Sequence, residues 1–360
     1  MLPDRIEELT PQALTELLRG SEVLAGGRVV DVRAEDIGTG VGVFGAIARL
    51  HLVIDGAHGA VPKTIVAKLP TTAEANRPVG MALRLYERES RFFSAVAPHV
   101  SVPLPRCFAN EIDETNGRFV LLLEDLGHLE AGDQLAGLSH NRAAAILEVM
   151  AAFHARWWQA PELDELEWMP KQDDPVFLAA VPGIVAAGVE ALPPLESELP
   201  PGSVELAARV NSGFVDLIHR CAAGPHTLIH GDLRLDNLFF TPGTDSPTLI
   251  DWQLSLRNRS VYDLVWLVAT SMEPEVQNES VERLILGYHN ALMRHGIVWP
   301  LKELRTAAAE QSAYLLSGPL SLIGTFDFSN AGDGRAAALT KKWVRRGFHA
   351  ALAFGASDVL

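Results

Sequence analysis

The chain has 360 residues, 48% hydrophobic and 21% charged, which excludes a disordered or fibrous chain and suits a core-rich protein of two domains or two lobes. With 30 Lys and Arg against 45 Asp and Glu its formal charge is −15, a field that opposes nucleic acid and either favours a cationic ligand or serves solubility alone. Two cysteines, Cys107 and Cys221, are too few for a disulfide framework or a Cys-rich zinc site, so both are expected to be buried in a reducing compartment.

Thr10-Pro11-Gln12 reads as an N-cap followed by proline at the first helical position, opening a short helix to about Arg19. From Arg28 the texture turns to strands, at Val29–Arg33, Ala46–Ile54 and Thr64–Leu69. The turn residues Asp55-Gly56-Ala57-His58-Gly59 join the last two as a hairpin. Met81–Val96 has helical spacing, and Phe119–Leu123 is a continuous apolar strand. Residues 1–123 therefore form a small β-rich lobe, 124–127 a hinge and 128–360 a larger, mostly helical lobe, an α+β fold class.

In that second part the pattern predicts helices at His140–Trp158, Asn211–Ala222, Val281–His295, Leu301–Leu316 and Arg335–Phe354. Ala160–Gly202 is rich in proline and acidic residues and reads as helical fragments joined by loops, a lid or substrate wall. The N-terminus lacks the basic-then-apolar pattern of a secretory signal, and no run of 18 apolar residues exists. Val261–Met272 carries Asp263 and reads as a buried helix. A cytoplasmic protein without a membrane span is expected.

Two polar islands flanked by apolar residues hold the chemistry: His230-Gly231-Asp232-Leu233-Arg234-Leu235-Asp236-Asn237, and Ile250-Asp251-Trp252-Gln253. Thr241–Pro247 between them has hairpin-turn composition. Asp232, Asn237 and Asp251 thus sit at the mouths of short strands, where a small number of hard oxygen ligands suits a divalent metal carrying phosphates. A carboxylate beside such a metal, Asp232, can accept the proton of an attacking hydroxyl. The order H-x-D-x-x-x-x-N followed by an aspartate after a strand is that of a kinase catalytic loop and metal-binding segment.

Upstream features agree. Gly40, Gly42 and Gly45 form a G-x-G-x-x-G between two strands, a flap over nucleotide phosphates where a dinucleotide fold would instead need a helix next. Lys68 lies inside an apolar strand, where burial demands an anion; phosphates and Glu89 would serve, with Glu87 as the alternative partner. Glu124 and Leu126 lie in the segment that suits a hinge pairing its backbone with adenine. His154, Trp157 and Trp158 sit at helical spacing and are read as core, and Asp263 fits an N-cap as well as any site role.

With these motifs the chain resembles the aminoglycoside phosphotransferase and choline-kinase superfamily of protein-kinase-like small-molecule kinases, from about residue 10 to the end. His230–Asn237, Ile250–Gln253 and Phe153–Trp158 resemble the ecdysteroid-kinase-like branch, and also phosphotransferase domains related to those acting on hydroxyacyl-CoA. The resemblance implies a bilobal protein-kinase-like fold, with ATP and Mg2+ as cofactors. Asp232 would be the base, Asn237 and Asp251 the magnesium ligands, and Lys68 the α/β-phosphate contact positioned by Glu89. His230 would brace the loop. Arg234 would neutralise the transferring phosphoryl group, although a salt bridge to Asp236 fits too. Trp252-Gln253 stands where protein kinases have Phe-Gly, and no Ala-Pro-Glu segment follows, so no phosphorylated activation loop is expected. The acceptor is a small-molecule hydroxyl, on either a lipophilic alcohol of steroid-like or hydroxyacyl type or an aminoglycoside-like cation. The other class of reading is a nucleotide-binding pseudokinase scaffold.

Overall fold

The computed structural model describes residues 2–37, 44–325 and 334–360. The chain divides into two compact units, Met1–Leu129 with Ile250–Leu254, and Glu130–Leu249 with Ser255–Leu360.

The first unit opens with helix α1 (Pro11–Leu17), whose Thr10 hydroxyl accepts from Ala13 N at 3.2 Å, the expected N-cap. Strands β1 (Arg28–Asp36), β2 (Gly45–Asp55) and β3 (Thr64–Pro70) follow. Helices α2 (Arg77–Ala82) and α3 (Leu85–Arg91) precede β4 (Cys107–Asp113) and β5 (Arg118–Glu124). The five strands make one antiparallel sheet in the order β1-β2-β3-β5-β4.

Strand periodicity decides what lies on each face. Ile65, Ala67 and Leu69 of β3 join Leu14, Leu18, Leu50, Val120 and Leu122 in the core beneath α1. Lys68 therefore points to the other face, where it pairs in register with Leu121. The single helix expected over Met81–Val96 is instead broken at Arg84, which takes a left-handed φ of 54°. The break turns Tyr86 onto Phe119, stacked at 5.1 Å, and α3 ends in a π-helical turn at Phe92–Val96. Strand β4 lacks a clear apolar alternation because it is an edge strand with half-exposed residues. Cys107 on it is exposed, contrary to expectation, whereas Cys221 is buried.

The second unit contains the short strand β6 (Glu130–Ala131), α4 (His140–Arg156), α5 (Pro175–Ala191), α6 (Ser203–Ser212) and α7 (Phe214–Ala222). Strands β7 (Thr227–Ile229), β8 (Leu238–Phe240), β9 (Pro247–Leu249) and β10 (Leu256–Asn258) come next. Helices α8 (Val261–Ser271), α9 (Pro274–Arg294), α10 (Leu301–Leu315), α11 (Ser317–Thr325) and α12 (Arg335–Ala353) complete it. The β8–β9 hairpin turns where its composition predicted.

Two expectations are corrected here. The helix starting at Asn211 begins earlier, as α6, and restarts at Gly213. The proline-rich stretch forms a 17-residue helix, α5, and not only fragments. Asp174 caps its first turn, Pro175 sits at the first helical position, and Pro182 is accommodated inside. Among the described residues no helix is long and apolar enough to cross a membrane.

Helix α5 packs on α11 through Gly188, where a Cβ would come within 2.2 Å of the Leu320 carbonyl oxygen. Gly188→Ala is expected to cost about 1–3 kcal/mol, because backbone and not a flexible side chain must move. Urea denaturation checks this, with Gly183→Ala on the same helix as the control, since nothing lies within 4 Å of a Cβ there.

Candidate active site

In the first unit the chemistry centres on a buried ammonium. Lys68 Nζ lies 2.7 Å from Glu89 Oε2 and 2.8 Å from Asp251 Oδ1. Glu89 is supplied by α3, and Asp251 by the five residues that return to this unit from later in the chain. Gly45 makes room for the lysine stem, since a Cβ there would lie 3.3 Å from Lys68 Cε. Burial alone would depress the ammonium's pKa, but Asp251 and Glu89 outweigh it and hold it above the ordinary lysine value. Glu89 is pushed up to about 7 by burial, with Asp251 adding to the rise against the pull of Lys68.

The partner of Lys68 is Glu89 and not Glu87, whose carboxylate pairs with Arg91 at 3.1 Å. Asp251 has φ 65°, a left-handed conformation that costs a side-chain-bearing residue energy and is held by its surroundings. One of those is Trp252, stacked on Phe92 with ring centroids 4.0 Å apart, which ties the Asp251 segment to the helix carrying Glu89. Glu124 accepts from Arg106 N at 3.2 Å, and Leu126 is buried. Gly40 and Gly42 lie outside the described residues.

In the second unit, the loop between β7 and β8 carries the other predicted residues. Asp232 holds its carboxylate against three donors: Trp266 Nε1 at 3.0 Å to Oδ1, and Arg234 Nε and Asn237 Nδ2, each at 2.9 Å, to Oδ2. Asn237 Nδ2 also bonds the Asp232 carbonyl, so its amide oxygen is the atom left to act as a ligand. Arg234 takes Asp232 and Gln134 as its near partners, with Asp236 farther away at 3.6 Å. His230 is fully buried, and its Nδ1 accepts from Asp232 N at 3.3 Å.

Asp263 is not the N-cap of α8. It lies in the first turn, and its carboxylate accepts from His230 N at 2.8 Å and Gly231 N at 3.0 Å. His154 Nε2 donates to the same carboxylate at 3.1 Å, and His154 Nδ1 lies 2.6 Å from the Tyr288 hydroxyl. A fully buried carboxylate needs such donors, and the backbone of the loop needs its acceptors. His154 is core, as its spacing suggested, but as part of this chain of bonds.

Trp266, Gln134, Ser271 and Tyr288 also belong here, although no motif marks them. Ser271 Oγ accepts from Leu235 N at 3.0 Å. For Trp266 a signal exists: it follows Asp263 by three residues on one helix, so both side chains meet the same loop.

One unit thus holds a carboxylate by three donors, and the other holds a buried cation between two carboxylates. The Asn237 amide oxygen in one unit and the Asp251 carboxylate in the other are each a hard oxygen, the donor type that magnesium takes. Among the described residues no group of three or more His, Cys, Asp or Glu side chains could hold a metal ion.

The model of the phosphotransferase enzyme family matches residues 52–297, more than half of the chain. The chain belongs to that family. It is accordingly an enzyme of the phosphotransferase class. Among solved structures it is similar to a protein of Ralstonia eutropha JMP134 classed as an aminoglycoside phosphotransferase, with TM-score 0.52 and 16% identity over 95% of this chain and 97% of that one. The GDP complex of aminoglycoside 2'-phosphotransferase-IIIa gives TM-score 0.52 and 14% identity over 91% and 94%. Macrolide 2'-phosphotransferase type I gives 0.50 and 15% over 95% and 97%. These likenesses show the fold, the α+β bilobal fold of protein-kinase-like phosphotransferases. Among curated proteins none matches this chain in sequence.

Removing the cation tests the first group. Lys68→Met leaves Glu89 and Asp251 facing one another in a buried site and is expected to destabilise the protein by about 3–5 kcal/mol, measured by urea denaturation. Lys68→Arg, which keeps the charge, should lose less.

Proposed function

We propose that this phosphotransferase moves the γ-phosphoryl group of ATP, with magnesium, to a hydroxyl group of a small molecule. The observation that carries the reading is the buried Lys68 between Glu89 and Asp251, in a chain whose family transfers phosphoryl groups. A buried cluster of one lysine and two carboxylates adds no more stability than apolar residues in all three places would, whereas nucleotide phosphates give the lysine a task beyond holding the fold. Asp232 is the base, Lys68 the contact to the α/β-phosphates, and Glu89 its positioning partner. Gly40, Gly42 and Gly45 belong to the flap over the phosphates, and Glu124 and Leu126 to the adenine-side hinge.

Asn237 and Asp251 would hold magnesium, which when bound neutralises phosphate charge. Arg234, already beside Asp232, brings a second cation to the base's surroundings. Phosphoryl transfer asks little covalent work of a protein, so positioning and charge supply most of the rate. A cytoplasmic setting, where ATP and magnesium are available, accords with this reading. The intact set Lys68, Asp232, Asn237 and Asp251 weighs against a pseudokinase scaffold.

Of the two acceptor classes, the lipophilic alcohol is favoured by α5. Its 17 residues carry one charge, Glu190, and Ile184 on it is 41% exposed. A wall for a polycationic aminosugar needs carboxylates, and apart from Glu190 those of Ala160–Gly202 flank this helix, from Glu162 to Asp174 and at Glu196 and Glu198, instead of lying on it. The apolar surface of α5 suits an acceptor of steroid-like or hydroxyacyl type, consistent with the ecdysteroid-kinase-like resemblance of the loop.

Asp232→Asn should lower turnover by about 10²–10⁴ while sparing nucleotide binding, measured as ADP release and by calorimetry. Wild-type turnover in this variant would remove the base assignment. In a panel of hydroxyl compounds read by ADP release and mass-spectrometric detection of added phosphate, lipophilic alcohols should be phosphorylated and kanamycin should not. Phosphorylation of kanamycin alone would reverse the choice of acceptor.

A further inference from the structure

We propose that Trp266 is a positioning residue for Asp232, and that its indole N–H selects which carboxylate oxygen receives the acceptor's proton. The inference rests on Asp232 being the base and adds to it the geometry of that base. Each carboxylate oxygen has two lone pairs. Oδ2 spends both, on Arg234 Nε and Asn237 Nδ2, whereas among the described residues Oδ1 takes a single bond, from Trp266 Nε1. Oδ1 is therefore the oxygen with a lone pair to spare. In the transfer, the acceptor O–H bond breaks, and its proton goes to Oδ1. The oxygen's electron pair forms the new bond to phosphorus, while the bond from phosphorus to the ADP oxygen breaks and leaves its pair on ADP.

The indole is fixed as firmly as the carboxylate it holds. It lies on the buried helix α8, with Trp343 edge-on at 5.4 Å and 76° and Tyr262 tilted at 6.2 Å. On α11, Gly318 leaves the ring its place: a Cβ there would lie 3.1 Å from Cη2 and 3.2 Å from Cζ3 of Trp266. Aromatic packing alone does not explain the direction of the N–H. Trp157 and Trp343 bury indole nitrogens that find no hydrogen-bond partner among the described residues, so this protein tolerates tryptophans that serve as packing only. Trp266 differs in aiming its donor at the one carboxylate that must keep a defined orientation. With only Arg234 and Asn237 attached, both at Oδ2, the carboxylate could rotate about its Cβ–Cγ bond, and Oδ1 would wander from the incoming hydroxyl.

Three substitutions separate packing from positioning. Trp266→Phe keeps a ring against Trp343 and Gly318 and removes only the donor and part of the bulk. Trp266→His places imidazole Nε2 where the indole nitrogen lies, because the two five-membered rings superpose, and so restores a donor. Gly318→Ala touches no proposed ligand of the reaction but presses on the indole by a few tenths of an ångström.

The experiment uses the full chain with 15N-labelled indole nitrogens. Trp266→Phe identifies the Trp266 N–H resonance, which should shift in Asp232→Asn, where a charged acceptor becomes a neutral one, while those of Trp157 and Trp343 stay in place. Turnover is then measured as ADP release from MgATP with water as the acceptor. Trp266→Phe is expected to lower kcat about tenfold at unchanged KM for MgATP, the size of one hydrogen bond to a charged group. Trp266→His should recover part of that loss, and Gly318→Ala should lower kcat about threefold.

An unmoved Trp266 resonance in Asp232→Asn overturns the contact. A Trp266→Phe enzyme with wild-type kcat overturns the positioning role and leaves the kinase reading standing, as does a change in KM alone. ADP release no faster in wild type than in Asp232→Asn would instead overturn the base reading, and this role with it, even where the resonance confirms the hydrogen bond.

Discussion

Burying a lysine ammonium on a β-strand carries a desolvation penalty of several kcal/mol unless carboxylates stand against it. Much of the first unit is arranged around that requirement at Lys68. Alternation along β3 sends Ile65, Ala67 and Leu69 into one core and Lys68 to the opposite face. The break at Arg84 turns α3 so that Glu89 meets the ammonium, and Gly45 leaves the lysine stem its space. Five residues, Ile250–Leu254, are drawn into the same unit to bring Asp251, in a left-handed backbone conformation that only a strong local reason sustains.

A second buried charge organises the other unit in the same way. Asp263 is wholly enclosed and satisfied by two backbone N–H groups of the loop and by His154. Breaking any of these bonds would leave either a bare carboxylate or unpaired amides, each of which costs more than the bond itself is worth. The loop is thus held from beneath by α8, and Asp232 above it is held by Trp266 from that same helix. One helix sets both the height of the loop and the angle of its carboxylate.

The net charge of −15 is as compatible with a cationic acceptor as with simple solubility. Helix α5 carries one charge, Glu190, so the acidic balance is carried elsewhere on the molecule. The proline-rich composition that suggests fragments conceals this helix, because Pro175 begins it and Pro182 is absorbed within it.

Local spacing is enough to find the loop His230–Asn237, the aspartate Asp251 after its strand, the strand lysine and the family they point to, because the family's motifs set fixed residue types a fixed number of positions apart. Helices α10 and α12 and the α1 cap are equally legible, since periodicity and capping act within a few residues, whereas α9 starts at Pro274, ahead of the predicted Val281, and α11 is not foreseen. Partnerships across long stretches of chain are not. That Glu89 and not Glu87 meets Lys68, that Asp263 braces a loop instead of capping its own helix, and that Trp266 holds Asp232 all depend on contacts between residues 21 to 34 positions apart. The exposure of Cys107 escapes local reading for a related reason: it follows from β4 lying at the sheet's edge, and strand order arises only when the whole sheet assembles. Side-chain type and short-range spacing limit what chemistry a chain can attempt; packing chooses which groups stand beside one another, because a buried charge survives only where a partner from elsewhere in the chain has been brought to it.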